Sequence, residues 1–411
     1  QTRVKLALPW CVFVVSLFSL HECRIKAMPL QADNEDARRK RPRHAFSERN
    51  RSSFDDIPPL EDVPEVSGIL AETSNTTSKA DLQEAEIGSD IPQMIGESRF
   101  FRSFKVGSGA FGDVYSGIDA SNGKDIAMKF ESVAAKCPQV LWEAKMYAKL
   151  NGRLGFPNVY MNGQEGLYNV IVMDLLGPSL DQLLESCGGK FSLKSVLMLA
   201  EQLILRLQSL HQQGIVHRDI KPGNFLMGMG STAHTVHVVD FGFARLYRDP
   251  STNQHVPYAD GKTHVGTARF VSINTHLGIL QSRRDDLEAV GYMLLYLLRG
   301  SLPWQGLGPE EACGAGKYDK IMDAKMDTPV EVLCKGLLPE FSAHLKYCRG
   351  LGYEEEPDYD YLLRLWRSAF TRKTSLKAPD FNFDWTFRGP VDKQKSQSGN
   401  HKIQETLVTL E

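Results

Sequence analysis

From about Arg99 to about Phe387 apolar positions recur densely, and on either side they thin out. Phe104 and Val106 alternate with polar positions ahead of a glycine cluster, the period of a half-buried strand. Val114-Tyr115-Ser116-Gly117-Ile118 and Ile126-Ala127-Met128-Lys129-Phe130 are two further β-prone runs, joined through Ser121-Asn122-Gly123-Lys124. Asn-Gly between such runs predicts a hairpin. Beyond Pro157 the period becomes mostly helical. Leu193–Gln213 is apolar nearly all round and meets Gly214, which predicts a buried helix with a glycine terminator. Asp286 to Leu298 predicts a second buried helix, too short to cross a bilayer. The pattern therefore predicts an α+β chain with a small β-rich lobe followed by a larger helical one.

The N-terminal stretch has another texture. Between Ala32 and Pro92 aromatics are few, prolines several, and polar runs such as Thr73-Ser74-Asn75-Thr76-Thr77-Ser78 recur. Such a segment buries too little apolar surface to offset the entropy of ordering it. The expected organisation is a disordered leader over 1–95, a folded domain over 96–387 and a short tail over 388–411. Residues 1–51 hold eleven Lys/Arg against five Asp/Glu, and residues 52–95 hold one against ten, so the leader is basic and then acidic. Leu6 to Leu20 is an apolar run of 15 residues that resembles a signal-peptide core and falls short of a membrane span. The sequence opens on Gln1, so a functional signal or anchor and a cleaved or misassigned leader both stay open. Arg38-Arg39-Lys40-Arg41-Pro42-Arg43 reads equally as a nuclear address or a solvated basic run.

Composition narrows the classes. The 411 residues are 42% hydrophobic and 24% charged, ordinary for a globular chain of two to three domains' length. Lys plus Arg is 48 against 50 Asp plus Glu, a net charge of −2, so neither nucleic acid nor an anionic membrane is expected as main partner. Seven scattered cysteines with no Cys-x-x-Cys pair read as reduced thiols in a cytosol-like compartment.

Chemistry enters with Gly107-Ser108-Gly109-Ala110-Phe111-Gly112-Asp113-Val114, a G-x-G-x-x-G-x-V run. Glycines let backbone amides approach phosphate oxygens. A dinucleotide fold needs a helix after such glycines, and here a strand and a hairpin follow. Lys129 ends a buried-strand pattern and Glu143 falls in a helical stretch, Trp142-Glu143-Ala144-Lys145-Met146-Tyr147. A Glu–Lys pair would hold the ammonium near nucleotide phosphates. His217-Arg218-Asp219-Ile220-Lys221-Pro222-Gly223-Asn224 has the spacing of a catalytic loop. Asp219 would accept a hydroxyl proton, Lys221 would stabilise the transferring phosphoryl group, and Asn224 would bind magnesium. Val236-His237-Val238-Val239 leads into Asp240-Phe241-Gly242, where Asp240 would be the second metal ligand.

In this order the motifs resemble the protein-kinase catalytic domain, and the finer match is similar to the casein kinase 1 family of serine/threonine kinases. Carrying that match are Leu175-Leu176-Gly177-Pro178-Ser179-Leu180, Lys221-Pro222-Gly223-Asn224-Phe225-Leu226-Met227-Gly228 and Gly266-Thr267-Ala268-Arg269-Phe270. Ser272-Ile273-Asn274-Thr275-His276-Leu277-Gly278, Ser282-Arg283-Arg284-Asp285-Asp286-Leu287-Glu288 and Gly300-Ser301-Leu302-Pro303-Trp304-Gln305-Gly306 extend it. Ser272-Ile273-Asn274 stands where most kinases carry Ala-Pro-Glu, itself a mark of the family. The resemblance spans about residues 96–387.

It implies a bilobal kinase fold, ATP and Mg2+ as cofactors, and protein substrates with acidic or phosphorylated residues upstream of the acceptor. It implies nucleotide contacts from Gly107, Gly109, Gly112, Val114, Ala127 and Lys129. Met173 would be the gatekeeper and Asp174 to Leu176 the adenine-binding hinge. Asp286, expected to open the second buried helix, would brace the His217-Arg218-Asp219 turn. Arg269, Lys317 and Lys262 would form an anion pocket beside the peptide groove. Members of the family generally work without activation-loop phosphorylation.

The match has departures. Gly223 replaces an acidic residue, Ala259 replaces a basic one, and a glycine-rich stretch over Gly308–Gly316 replaces a basic cluster and leaves Lys317 alone. A pseudokinase scaffold would lack Lys129, Asp219, Asn224 or Asp240, and all four are present. A small-molecule phosphotransferase would lack the Gly266–Gly278 peptide segment. The expectation is an active, monomeric, cytoplasmic kinase with a candidate nuclear address, no stable membrane span and no nucleic-acid partner.

Overall fold

The computed structural model describes residues 91–109, 112–262, 265–307 and 315–386. The leader, including the Leu6–Leu20 run and the Arg38–Arg43 patch, and the expected 388–411 tail lie outside them. No helix among the described residues is long and apolar enough to cross a membrane.

The first lobe is an antiparallel sheet. Its strands are β1 (Met94–Ile95), β2 (Phe100–Gly109), β3 (Gly112–Asp119) and β4 (Lys124–Ser132), then α1 (Val140–Leu150), β5 (Val159–Glu165) and β6 (Tyr168–Asp174). They lie side by side as β1-β2-β3-β4-β6-β5. The Asn-Gly turn closes the β3–β4 hairpin, with Gly123 N donating to Asp119 O at 2.7 Å. β1 precedes the expected domain edge at residue 96, because Met94 and Ile95 pair with Phe101 and Phe100.

The alternation of β4 sorts its side chains between two cores. Ile126, Met128 and Phe130 pack with Val170 and Val172 in the smaller core, on one face. Ala127, Ile171 and Met173 face the other way, onto α1 and the larger core. Register puts Val114 opposite Lys129 and Ala127 opposite Met173. The expected nucleotide-contacting side chains thus share one face of the sheet.

The second lobe is helical. It comprises α2 (Leu180–Ser186), α3 (Leu193–Gln212), β7 (Ile215–Val216), β8 (Phe225–Met227), β9 (Val236–Val238) and β10 (Arg245–Leu246). After these come α4 (Ile273–His276), α5 (Arg283–Arg299), α6 (Ala315–Asp327), α7 (Val330–Leu333), α8 (Pro339–Gly350) and α9 (Tyr359–Thr374). β7 pairs with β10 and β8 with β9. Helices α3 and α5 are buried along most of their length and form the spine of the lobe. α5 starts at Arg283, three residues before Asp286. The cap explains the earlier start: Ser282 N donates to Asp285 Oδ2 at 2.8 Å, and Asp285 N donates to Ser282 O at 3.1 Å. The helix stops at Gly300, whose φ of 82° closes it in the left-handed conformation.

Candidate active site

Lys129 sits on the α1 face of β4, and its Nζ donates to Glu143 Oε2 at 2.5 Å. The same ammonium reaches Asp240 Oδ1 at 3.4 Å. Burial alone would lower the Lys129 pKa, but Glu143 and Asp240 outweigh it and hold the ammonium above its usual range. For Asp240 burial pushes upward, and Lys129, Lys221 and His217 pull the carboxyl below its usual range. Asp240 takes a positive φ of 67°. Its backbone N–H donates to the Tyr147 hydroxyl on α1 at 3.2 Å, while Phe241 buries its ring edge-on against Tyr147.

Asp219 follows β7 on a turn braced from below. Asp286, enclosed near the start of α5, accepts from the backbone N–H of His217 at 2.7 Å and of Arg218 at 2.9 Å. That bracing holds Arg218 at a φ of 70°. Arg218 turns its guanidinium away, Nε donating to Phe243 O at 2.6 Å, and burial with the nearby Arg245 lowers its pKa to about 10.

Both carboxylate oxygens of Asp219 are engaged. Oδ2 accepts from Lys221 Nζ at 2.7 Å and Asn224 Nδ2 at 3.2 Å. Oδ1 accepts from Thr267 N at 2.9 Å and Thr267 Oγ1 at 2.8 Å. Thr267 can approach because Gly266 precedes it, with φ 101° and an added Cβ only 2.3 Å from Arg218 O. Sequence reasoning missed Thr267, since nothing local marks a hydroxyl that meets a carboxylate 48 residues away. It also missed Tyr147 and Arg245.

The glycine turn joins β2 to β3. Gly112 has φ 122°, and a Cβ there would lie 2.0 Å from Phe130 O, so only glycine fits. Asp174, in the expected hinge, ends β6. Its side chain points to Asn158, whose N and Nδ2 each donate at 2.8 Å, and to Lys124 at 2.7 Å and the Tyr160 hydroxyl. Any nucleotide contact there falls to backbone, and the Leu176 N–H makes no hydrogen bond among the described residues.

Arg269 lays its guanidinium 5.7 Å from the Phe270 ring and 5.3 Å from the Tyr296 ring, with no carboxylate partner among the described residues. Lys262 is exposed, and its backbone N donates to Gly278 O at 2.9 Å. Lys317 lies on α6, with its side chain outside the described residues.

The described residues contain no cluster of three His, Cys, Asp or Glu of the kind that cages a metal. Magnesium at a nucleotide needs less, one or two protein oxygens with waters and phosphates. Asp240 offers a part-exposed carboxylate, and Asn224 uses its amide N–H groups on Asp219, which leaves the amide oxygen as donor. The pair fits a hard cation. The family model of the protein kinase domain matches residues 100–336, more than half of the chain.

Proposed function

The chain belongs to the protein kinase family, and we propose that it is an active serine/threonine kinase of casein kinase 1 type. Protein kinases transfer the γ-phosphoryl group of Mg-ATP to a protein hydroxyl. The observation that carries the reading is the convergence on Asp219: one carboxylate held by Lys221, Asn224 and Thr267, with Asp240 linked to it electrostatically through Lys221.

On this reading ATP lies between the glycine turn and the catalytic loop. Gly107, Gly109 and Gly112 present backbone amides to its phosphates, and Val114 and Ala127 cover the base. Met173 bounds the pocket and the backbone of Leu176 meets the adenine edge. Lys129, fixed by Glu143, neutralises phosphate charge. Asn224 and Asp240 would hold magnesium, which would supply positive charge against the developing negative charge. Asp219 accepts the proton of the acceptor hydroxyl. Lys221, already within reach of Asp219, faces the transferring group.

A preference for acidic or phosphorylated substrates is supported by Arg269, a guanidinium with no carboxylate partner among the described residues, and by the exposed Lys262. A phosphate offers three acceptor oxygens to such groups. The test is a Mg-ATP assay of the full chain on matched phosphorylated and unphosphorylated peptides. Phosphorylated peptides should be favoured by about tenfold or more in kcat/KM. Arg269→Ala with Lys317→Ala should remove about tenfold on those peptides, ~1.4 kcal/mol, and less on acidic ones. Equal loss on both classes assigns the two residues a structural role and overturns the pocket.

A further inference from the structure

The buried stripe of α6 contains Ile321 and Lys325, one turn apart. A lysine thus occupies an apolar-face position, and its side chain is wholly enclosed. Nζ donates to Val271 O at 2.6 Å and Ala268 O at 2.8 Å, and lies 3.2 Å from His276 Nε2 on α4. The rings of Tyr292 and Trp304 stand 5.0 and 5.3 Å from it. Glu288 of α5 attracts it and Arg349 of α8 repels it from farther off, and no carboxylate among the described residues pairs with it directly. Burial brings its pKa down to about 7. A cation enclosed without a counter-ion is costly.

What the ammonium does is shown by its acceptors. Both carbonyls belong to the short loop that carries Thr267 onto Asp219. Between them Arg269 O accepts from Trp304 Nε1 at 2.8 Å. The loop is closed internally by Phe270 N and Val271 N, which donate to Thr267 O at 2.8 and 3.1 Å. From the far side Thr267 is held by Asp219. Three of its carbonyls are therefore fixed by two enclosed side chains, and its N-terminal end is fixed to the Asp219 carboxylate.

We propose that Lys325 is a positioning residue for phosphoryl transfer to protein substrates, its buried ammonium clamping the Thr267–Val271 loop against α6 while Trp304 holds the carbonyl between. The inference rests on the kinase reading above and extends it to a residue with no contact to nucleotide or acceptor. The clamp sets the height of the loop at the peptide groove and keeps Thr267 seated on Asp219. Substrate binding and the acceptor step depend on it, and ATP binding does not.

The test compares the full-length wild type, Lys325→Met and Trp304→Phe, each assayed for kcat and for KM of peptide and of ATP beside thermal melting. Lys325→Met sheds a buried charge and also leaves Ala268 O and Val271 O without their donor, so melting serves as the control for folding. Its peptide KM should rise about fivefold or more and its kcat should fall, with the ATP KM within about twofold. Trp304→Phe keeps a ring in place and removes one N–H, so it should raise peptide KM about threefold. A purely structural role would lower melting temperature and apparent kcat together with both KM values unchanged, and that result overturns the clamp. Wild-type kinetics in Lys325→Met overturn it equally. Should Lys325→Met not fold, Trp304→Phe decides alone, and an unchanged peptide KM there sinks the proposal. A wild type that phosphorylates no peptide overturns the kinase reading and the clamp with it; an active wild type with unaltered variants overturns only the clamp.

Discussion

Asp219 accepts four hydrogen bonds from three side chains and one backbone N–H, so a change there can be read as chemistry rather than collapse. Asp219→Asn preserves shape and, on the proposed reading, removes the base. Steady-state assays should show kcat reduced by about 10²–10⁴ with the ATP KM little changed. Near-normal turnover by the purified variant would remove Asp219 from the mechanism. Asp240→Asn tests the proposed metal role, because on that reading it weakens one of two oxygen donors to magnesium. A magnesium titration should show half-saturation displaced to higher concentration, and an unchanged titration argues against a metal role. Sequence alone singled out these two residues, since each sits in a short fixed motif. Thr267 and Lys325 were not readable, because their meaning lies in partners 48 and more than fifty residues away. For Asp174 nothing local in the sequence marked the commitment of its carboxylate to Lys124, Tyr160 and Asn158.

Elements were legible where one period ran cleanly. β4 could be placed from its apolar run, and its alternation put Lys129 on the α1 side. The start of α5 was less clear, because the apolar pattern begins at Leu287 while the cap sits at Ser282 and Asp285. Asp285 also ties α5 to α4: its Oδ1 accepts from Ser272 Oγ at 2.5 Å, and Ser272 caps α4 by accepting from Thr275 N at 3.0 Å. Burial raises the Asp285 pKa to about 6, above the unfolded value near 3.9. The folded chain therefore binds more protons than the unfolded chain between about pH 4 and 6. This residue's contribution falls as pH rises through that window, by about 3 kcal/mol as an order of magnitude, and stays low above it. Asp285→Asn keeps an oxygen for Ser282 N and offers an N–H to Ser272 Oγ. It should melt at or above the wild type at pH 7 and show a weaker pH dependence between 4 and 6. A lower melting temperature at pH 7 would mean that the ionised carboxylate holds α4 and α5 together better than a neutral amide does.

For the whole molecule, the question is where the folded unit begins. Apolar density in the sequence rises near Arg99, and that signal suggested an edge at residue 96. The sheet starts earlier because a two-residue strand carries almost no pattern. Ile95 is nonetheless buried in the smaller core beside Phe100, Ile126 and Phe130. Arg102 pins the approach to β1: its N–H donates to Gln93 O at 2.8 Å and its Nε to Pro92 O at 3.0 Å. Gly96 N donates to Glu165 Oε1 at 3.1 Å, on the far edge strand β5. Two truncations separate the alternatives. Removal of residues 1–90 spares all these contacts, and the remaining chain should match the full chain in melting temperature and in kcat on peptide. Removal of residues 1–95 deletes Ile95 and exposes the apolar surface it covers. Loss of that side chain from the core costs about 2–5 kcal/mol. In a domain of this size each kcal/mol is worth roughly 2 °C or somewhat less, so the second truncation should melt several degrees below the first. Equal melting temperatures would place the start of the fold at Phe100 and make β1 an ornament of the edge. A fall in both would show instead that residues before Ile91 contribute to the stability of the kinase domain.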